Sequence, residues 1–163
     1  MKKIAVAFTG QSNSGKTTLI IKLSNELQSK GFKVCIVKHD PRDKAKFDKE
    51  GKDSYKFTQT GANVAVVSPT RTTIFKQNPS EIDEIVSMFG EFDYLLVEGL
   101  KTLPLPRICI QRETLNPDYF NVSDAIATDE SIEKKNIPNG SEHLNLNNLD
   151  DIINWIDKNG KRY

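Results

Sequence analysis

The run Gly10-Gln11-Ser12-Asn13-Ser14-Gly15-Lys16-Thr17 fits the pattern G-x-x-x-x-G-K-S/T at every fixed position. Such a match arises by accident in about one chain in two hundred of this length. Its surroundings make accident a poor explanation. The apolar run Ile4-Ala5-Val6-Ala7-Phe8 precedes it, and a helix-like run opens near Gly15. Strand, loop and helix in that order are the setting in which the pattern wraps an anion. Glycines let the backbone approach closely, the amides point inward, and the helix N-terminus adds positive partial charge. On this reading Gly10 to Thr17, with Thr18 beside them, bind phosphates. Lys16 reaches the β- and γ-phosphates and Thr17 sets its hydroxyl on Mg²⁺.

Around this loop the chain reads β–loop–α–β. A strand over Lys3–Phe8 is followed by a helix with Leu19, Leu23 and Leu27 on one face and Ile20 beside them, closed by Lys30-Gly31. A second strand, Lys33–Val37, must then run parallel to the first. It ends in Lys38-His39-Asp40-Pro41, where the ligand crevice of an open parallel sheet lies. Asp40 is a metal candidate, directly or through water; it is equally a turn starter, because Asp-Pro begins turns. His39 has no partner at metal-ligand spacing and suits a structural role.

The polar stretch Arg42–Glu50 reads as a loop. In Gly51-Lys52-Asp53-Ser54, Asp53 or Ser54 would cap a short helix ending at Gly61; the Gly-Lys pair could instead be a switch or a partner-contact element. Strands are expected over Ala62–Ser68 and Thr72–Phe75. Asn78-Pro79-Ser80-Glu81 has the composition of a helix start, and Ile82, Ile85, Val86 and Phe89 follow at helical spacing to Gly90.

Phe92–Gly99 contains four apolar residues and then Glu98, the form of a strand that delivers a carboxylate to the metal side of a phosphate loop. Glu98 would hold Mg²⁺ through water or orient an attacking water, so Lys16 and Glu98 are the candidate catalytic groups. Arg107–Arg112 is another strand; either terminal arginine could meet phosphate, and surface ion pairing is the favoured role for each. Ser123–Asp129 is a late strand ending in an acid. Asp129 is a candidate for the N1 and N2 donors of guanine, although the Asn-Lys-x-Asp signature is missing. A last helix spans about Asn148–Asn159, with Leu149, Ile152, Ile153 and Ile156 inward.

Composition sets limits. The 163 residues suit one domain with a real core. A net charge of +1 gives no global reason to expect nucleic acid or an anionic membrane as partner, and no apolar run approaches spanning length. Polar Gln11–Ser14 cut the first apolar run too short for a secretion signal. Cys35 and Cys109 lie in separate strand-like runs and read as buried free thiols of a cytoplasmic protein.

Four spaced pieces resemble the molybdopterin-guanine dinucleotide biosynthesis protein B family, MobB. They are Gly10–Thr17, Lys38-His39-Asp40, Gly51-Lys52-Asp53-Ser54 and Val97-Glu98-Gly99-Leu100-Lys101, and the resemblance covers about Lys3 to Asp129. It implies an α/β fold, a three-layer P-loop NTPase with a mostly parallel central sheet plus extra strands. It also implies GTP and Mg²⁺ as ligands, with slow hydrolysis at best. The protein would be a dimeric accessory to the GMP-transferring molybdopterin enzyme, with molybdopterin or molybdoenzymes as further contacts. Many members carry a His-rich stretch where this chain has Asp40-Pro41-Arg42-Asp43, so no histidine role carries over. Leu100 stands where the family often has Phe. Two other classes share the loop. A small-molecule kinase would need an arginine-bearing lid, and no Arg cluster is present. A nickel-delivery GTPase would need soft or imidazole ligands, and His39 and His143 are isolated.

Overall fold

The computed structural model describes all 163 residues. In chain order the elements are β1 (Ile4–Thr9), α1 (Lys16–Ser29), β2 (Val34–Lys38), α2 (Asp53–Thr58), β3 (Val64–Val67), β4 (Thr72–Phe75), α3 (Ile82–Phe89), β5 (Tyr94–Glu98), β6 (Arg107–Gln111), β7 (Ala125–Thr128), β8 (Glu142–Asn145), α4 (Leu149–Asn159) and β9 (Lys161–Arg162). They group into two compact units, residues 1–39 with 89–163, and residues 40–88.

The larger unit is built on a seven-stranded sheet, β2-β5-β1-β6-β7-β8, with β9 paired to β1. The pairings along this path are parallel, and only β9 runs antiparallel. β1 is buried along its whole length, which its unbroken apolar sequence requires of a strand covered on both faces. One of its edges is shared. β6 pairs with Ala7–Thr9, and β9 takes Ile4 and Ala5. β1 and β2 are parallel, as the β–α–β reading demands, with β5 inserted between them. On one face Val6, Phe8, Leu96 and Ile110 meet Leu19, Leu23 and Leu27 of α1 and Ile152 and Ile156 of α4. Leu23 and Leu27 are fully buried, each contributing about 2 kcal/mol from area alone. The i, i+4, i+8 spacing thus becomes the helix–sheet contact. Asn148 caps α4 by accepting from the Asp151 amide (3.3 Å).

The smaller unit holds α2, the antiparallel β3–β4 hairpin and most of α3. Gln77 ties hairpin to helix, donating from Nε2 to the carbonyls of Thr58 (3.3 Å) and Ala62 (3.1 Å). Val67 and Ile74 lie on one face of the hairpin and are 74% and 57% exposed.

Several local expectations are corrected. α3 starts at Ile82 rather than at Pro79. Lys76 Nζ donates to Ser80 Oγ (2.9 Å) and Glu84 Oε1 (2.6 Å), and Ser80 lies outside the helix. Neither Asp53 nor Ser54 caps α2. Lys52 occupies that position without a side-chain bond, the Asp53 carboxylate takes Lys56 Nζ (3.3 Å), and Ser54 Oγ donates to Asp48 Oδ1 (2.9 Å). Cys109 is buried, but Cys35 is only half-buried. β8 and β9 have no counterpart in the sequence reading.

Candidate functional site

The phosphate loop leaves the carboxyl end of β1. Gly10 has φ 141°, and a Cβ there would stand 2.4 Å from the Ile110 carbonyl oxygen on β6. Only glycine lets the chain turn off the sheet at this point. Asn13 and Gly15 follow in left-handed backbone, φ 64° and 93°, and the Ser14 amide donates to the Gln11 carbonyl (3.3 Å). α1 then begins at Lys16 with no side-chain cap and no acid in its first turn. Its leading amides and its dipole therefore remain available to an anion. Ser14 Oγ is buried without a partner in the same cradle. Gln11, Ser12, Asn13, Thr17 and Thr18 are solvent-exposed. Lys16 arches back over the loop and donates to the carbonyls of Gly10 (3.1 Å) and Gln11 (2.6 Å). Burial pushes its ammonium below the ordinary lysine range, against the opposing pull of Glu98.

Sheet register brings the acid to this loop. Glu98 is level with Phe8 of β1 on one side and Lys38 of β2 on the other. Thr17 Oγ1 donates to Glu98 Oε2 (3.0 Å), and Lys38 Nζ lies 2.9 Å from Glu98 Oε1. A threonine that gives its proton to a carboxylate keeps its lone pairs free for a cation. Hydroxyl and carboxylate oxygens are the hard donors Mg²⁺ takes, usually one or two from protein with the rest from phosphate and water. The donor set therefore fits Mg²⁺, with Thr17 and Glu98 as the residues to hold it.

On the opposite side of β1 lie the ends of β6 and β7. Arg112 follows β6 directly. Its Cζ is 3.3 Å from where a Cβ on Gly15 would stand, and its Nε faces Asp129 Oδ2 at 3.4 Å. Asp129 Oδ1 accepts from Ser131 Oγ (2.5 Å) and the Ser131 amide (3.1 Å). The Ser131 hydroxyl, foremost, holds the Asp129 carboxyl below its ordinary range.

Residues 5–129 match the family model described as molybdopterin guanine dinucleotide synthesis protein B, MobB. The chain belongs to the MobB family. It is 32% identical over 136 residues to the molybdopterin-guanine dinucleotide biosynthesis adapter protein of Haemophilus influenzae, covering 78% of this chain and 76% of that one. Identity to the adapter protein of Escherichia coli is 34% over 116 residues, 66% of this chain and 65% of that one. The crystal structure of Bacillus subtilis MobB superposes with a TM-score of 0.71 at 22% identity, over 93% of this chain and 96% of that one. That likeness bears on fold alone, and it agrees with the mostly parallel α/β sheet of a P-loop NTPase.

Within this MobB chain the sequence-derived candidates fall into three places. Gly10 to Thr18 form the loop and helix start, and Glu98 reaches them through register. Asp40 closes a turn. Its Oδ2 accepts from the amides of Lys44 and Ala45 (2.7 Å each), and its Oδ1 from that of Arg42 (3.3 Å). Asp129 is engaged with Ser131 and Arg112. Of the two β6 arginines, Arg107 is no surface residue. It is 2% exposed and donates to the carbonyls of Gly99 (2.9 Å), Leu100 (2.9 Å) and Leu103 (3.1 Å). It thereby fixes the turn that follows Glu98. Arg112 does make an ion pair, but beside the phosphate loop. Lys38 was legible only as part of a family-like string; its link to Glu98 depends on the pairing of β2 with β5, which local sequence does not encode.

Proposed function

We propose that this chain binds GTP with Mg²⁺ and serves as the accessory to the enzyme that joins GMP to molybdopterin. Its membership of a family concerned with molybdopterin guanine dinucleotide synthesis supports the pathway. The observation that carries the nucleotide reading is the meeting of Thr17 and Glu98 at 3.0 Å beside an uncapped α1. The loop amides and Lys16 bind the phosphates, and Thr17 and Glu98 hold the ion. When bound, Mg²⁺ would neutralise phosphate charge and orient the β- and γ-oxygens. Lys16 steadies the remaining negative charge. Slow hydrolysis goes with the same geometry, because a Glu98 that holds the ion while accepting from Thr17 and Lys38 is a weak base toward an attacking water. GTP rather than ATP rests on the family resemblance.

A homodimer belongs to this reading. The hairpin face carrying Val67 and Ile74 is apolar and exposed, as surfaces that meet a second copy commonly are. A cytoplasmic setting goes with the two free thiols. The deciding experiment is calorimetric titration with Mg²⁺-GTP. Lys16→Ala is expected to abolish binding while the variant keeps its far-ultraviolet circular dichroism. Unchanged affinity would overturn the assignment of the phosphate site.

A further inference from the structure

We propose that Arg112, oriented by Asp129, is the residue that distinguishes guanine from adenine. This rests on the reading that Gly10 to Thr17 hold nucleotide phosphates. The topology sets the direction of the ligand. β1 has β5 on one side and β6 on the other. The metal-side groups, Glu98 and Lys38, come from the β5 side. The far phosphates therefore face β5, and the nucleoside extends the other way, across Gly15 toward the carboxyl ends of β6 and β7. Ligands of open α/β sheets occupy those ends.

Arg112 stands in that path. A methyl carbon on Gly15 would lie 3.3 Å from its Cζ, 3.4 Å from Nε and 3.5 Å from Nη2, so the guanidinium lies against the loop. Nε faces Asp129 Oδ2 at 3.4 Å, so the Nη nitrogens are the donors that would serve a base. The support is a chain of hydrogen bonds. Ser131 Oγ donates to Asp129 Oδ1 and accepts from the Glu113 amide (2.7 Å), and the Thr114 amide donates to the Arg112 carbonyl (2.6 Å). These bonds tie the end of β6 to the end of β7. Glu113 holds φ 63°, a conformation that a glutamate keeps only where its surroundings determine it.

The chemistry then separates two ways of reading guanine. A carboxylate reads the N1 and N2 donors and needs its oxygens free. Here one oxygen of Asp129 serves Ser131 and the other faces Arg112. An arginine fork instead donates to the O6 and N7 acceptors, and adenine presents an amino donor where guanine has O6. Asp129 is thus a positioning residue, and Arg112 makes the contact.

Inosine triphosphate tests this on the unaltered protein, because it keeps O6 and N7 and lacks the N2 amino group. Titrations with GTP, ITP and ATP in Mg²⁺ should give ITP an affinity within about threefold of GTP, and ATP about ten- to a hundredfold weaker. Arg112→Ala should collapse the GTP-to-ATP ratio toward one. Arg112→Lys should restore little of it, since an ammonium lacks the planar fork. Asp129→Asn should reduce the ratio in part. If ITP binds far more weakly than GTP, or if Arg112→Ala keeps the ratio while Lys16→Ala abolishes binding, Arg112 is not the reader and the phosphate site still stands. Equal GTP and ATP affinities in the unaltered protein overturn the proposal as well. Binding of no nucleotide at all removes both readings.

Discussion

Arg107 is a buried cation whose guanidinium is met by three carbonyls rather than by a carboxylate. Burial, foremost, pulls its pKa down from the ordinary arginine range, yet three charge-assisted bonds hold the turn that follows Glu98. Arg107→Met fills much of the volume but leaves those carbonyls without a donor. The expected cost is about 2–4 kcal/mol, read as a lower urea midpoint at unchanged slope, with Arg107→Lys recovering part of the loss. Equal stability would mean that water replaces the guanidinium. In the sequence Arg107 and Arg112 look alike, one at each end of an apolar run. Only the fold separates them, because the partners of Arg107 belong to an irregular turn and the partner of Arg112, Asp129, follows the next strand. Lys16 and Thr17 were legible because their roles depend on a contiguous motif whose geometry is local.

Among the elements, β8 shows how pairing overrides local signal. Glu142-His143-Leu144-Asn145 has one apolar residue and no clear alternation, yet it lies parallel to β7 along its length. His143 Nε2 is 2.9 Å from Thr128 Oγ1 on β7. Burial, with a smaller push from Lys134, lowers its pKa below the ordinary value of 6.5. The unfolded chain therefore takes up a proton near pH 6.5 while the folded chain resists it, and stability falls with pH from about 6.5 down to the folded value. Thermal melts from pH 7.5 to 5 should show this decline, and His143→Gln should flatten it. A parallel decline in the variant would assign the effect to other groups. α1 and α4 were readable from apolar spacing and end residues. The start of α3 was not, because a lysine six residues upstream bonds Ser80 and Glu84, and no capping rule anticipates it. β9, two basic residues, carries no strand signal of its own and exists because β1 offers a free half-edge.

For the molecule as a whole, the parallel α/β class followed from one β–loop–α–β unit and a second acid-tipped strand. The homodimer proposed above would form through the exposed hairpin face of the smaller unit. Val67 and Ile74 share a hairpin face with Ala65 and Thr72 through their cross-strand pairing. If so, sedimentation velocity should find the unaltered protein dimeric and the folded Val67→Lys, Ile74→Lys variant monomeric at the same concentration. A persistent dimer would shift the interface elsewhere. The burial of β1 has a consequence for biosynthesis. Ile4–Thr9 leave the ribosome before the strands they pair with, yet each of these residues is buried in the finished sheet. The neighbouring strands β5, β6 and β9 are all translated much later. During elongation a bare apolar ribbon of high β-propensity must wait for Tyr94–Glu98 to emerge, with at most α1 to shield one side. Nascent chains stalled in that interval are the form most prone to aggregate and most in need of a chaperone.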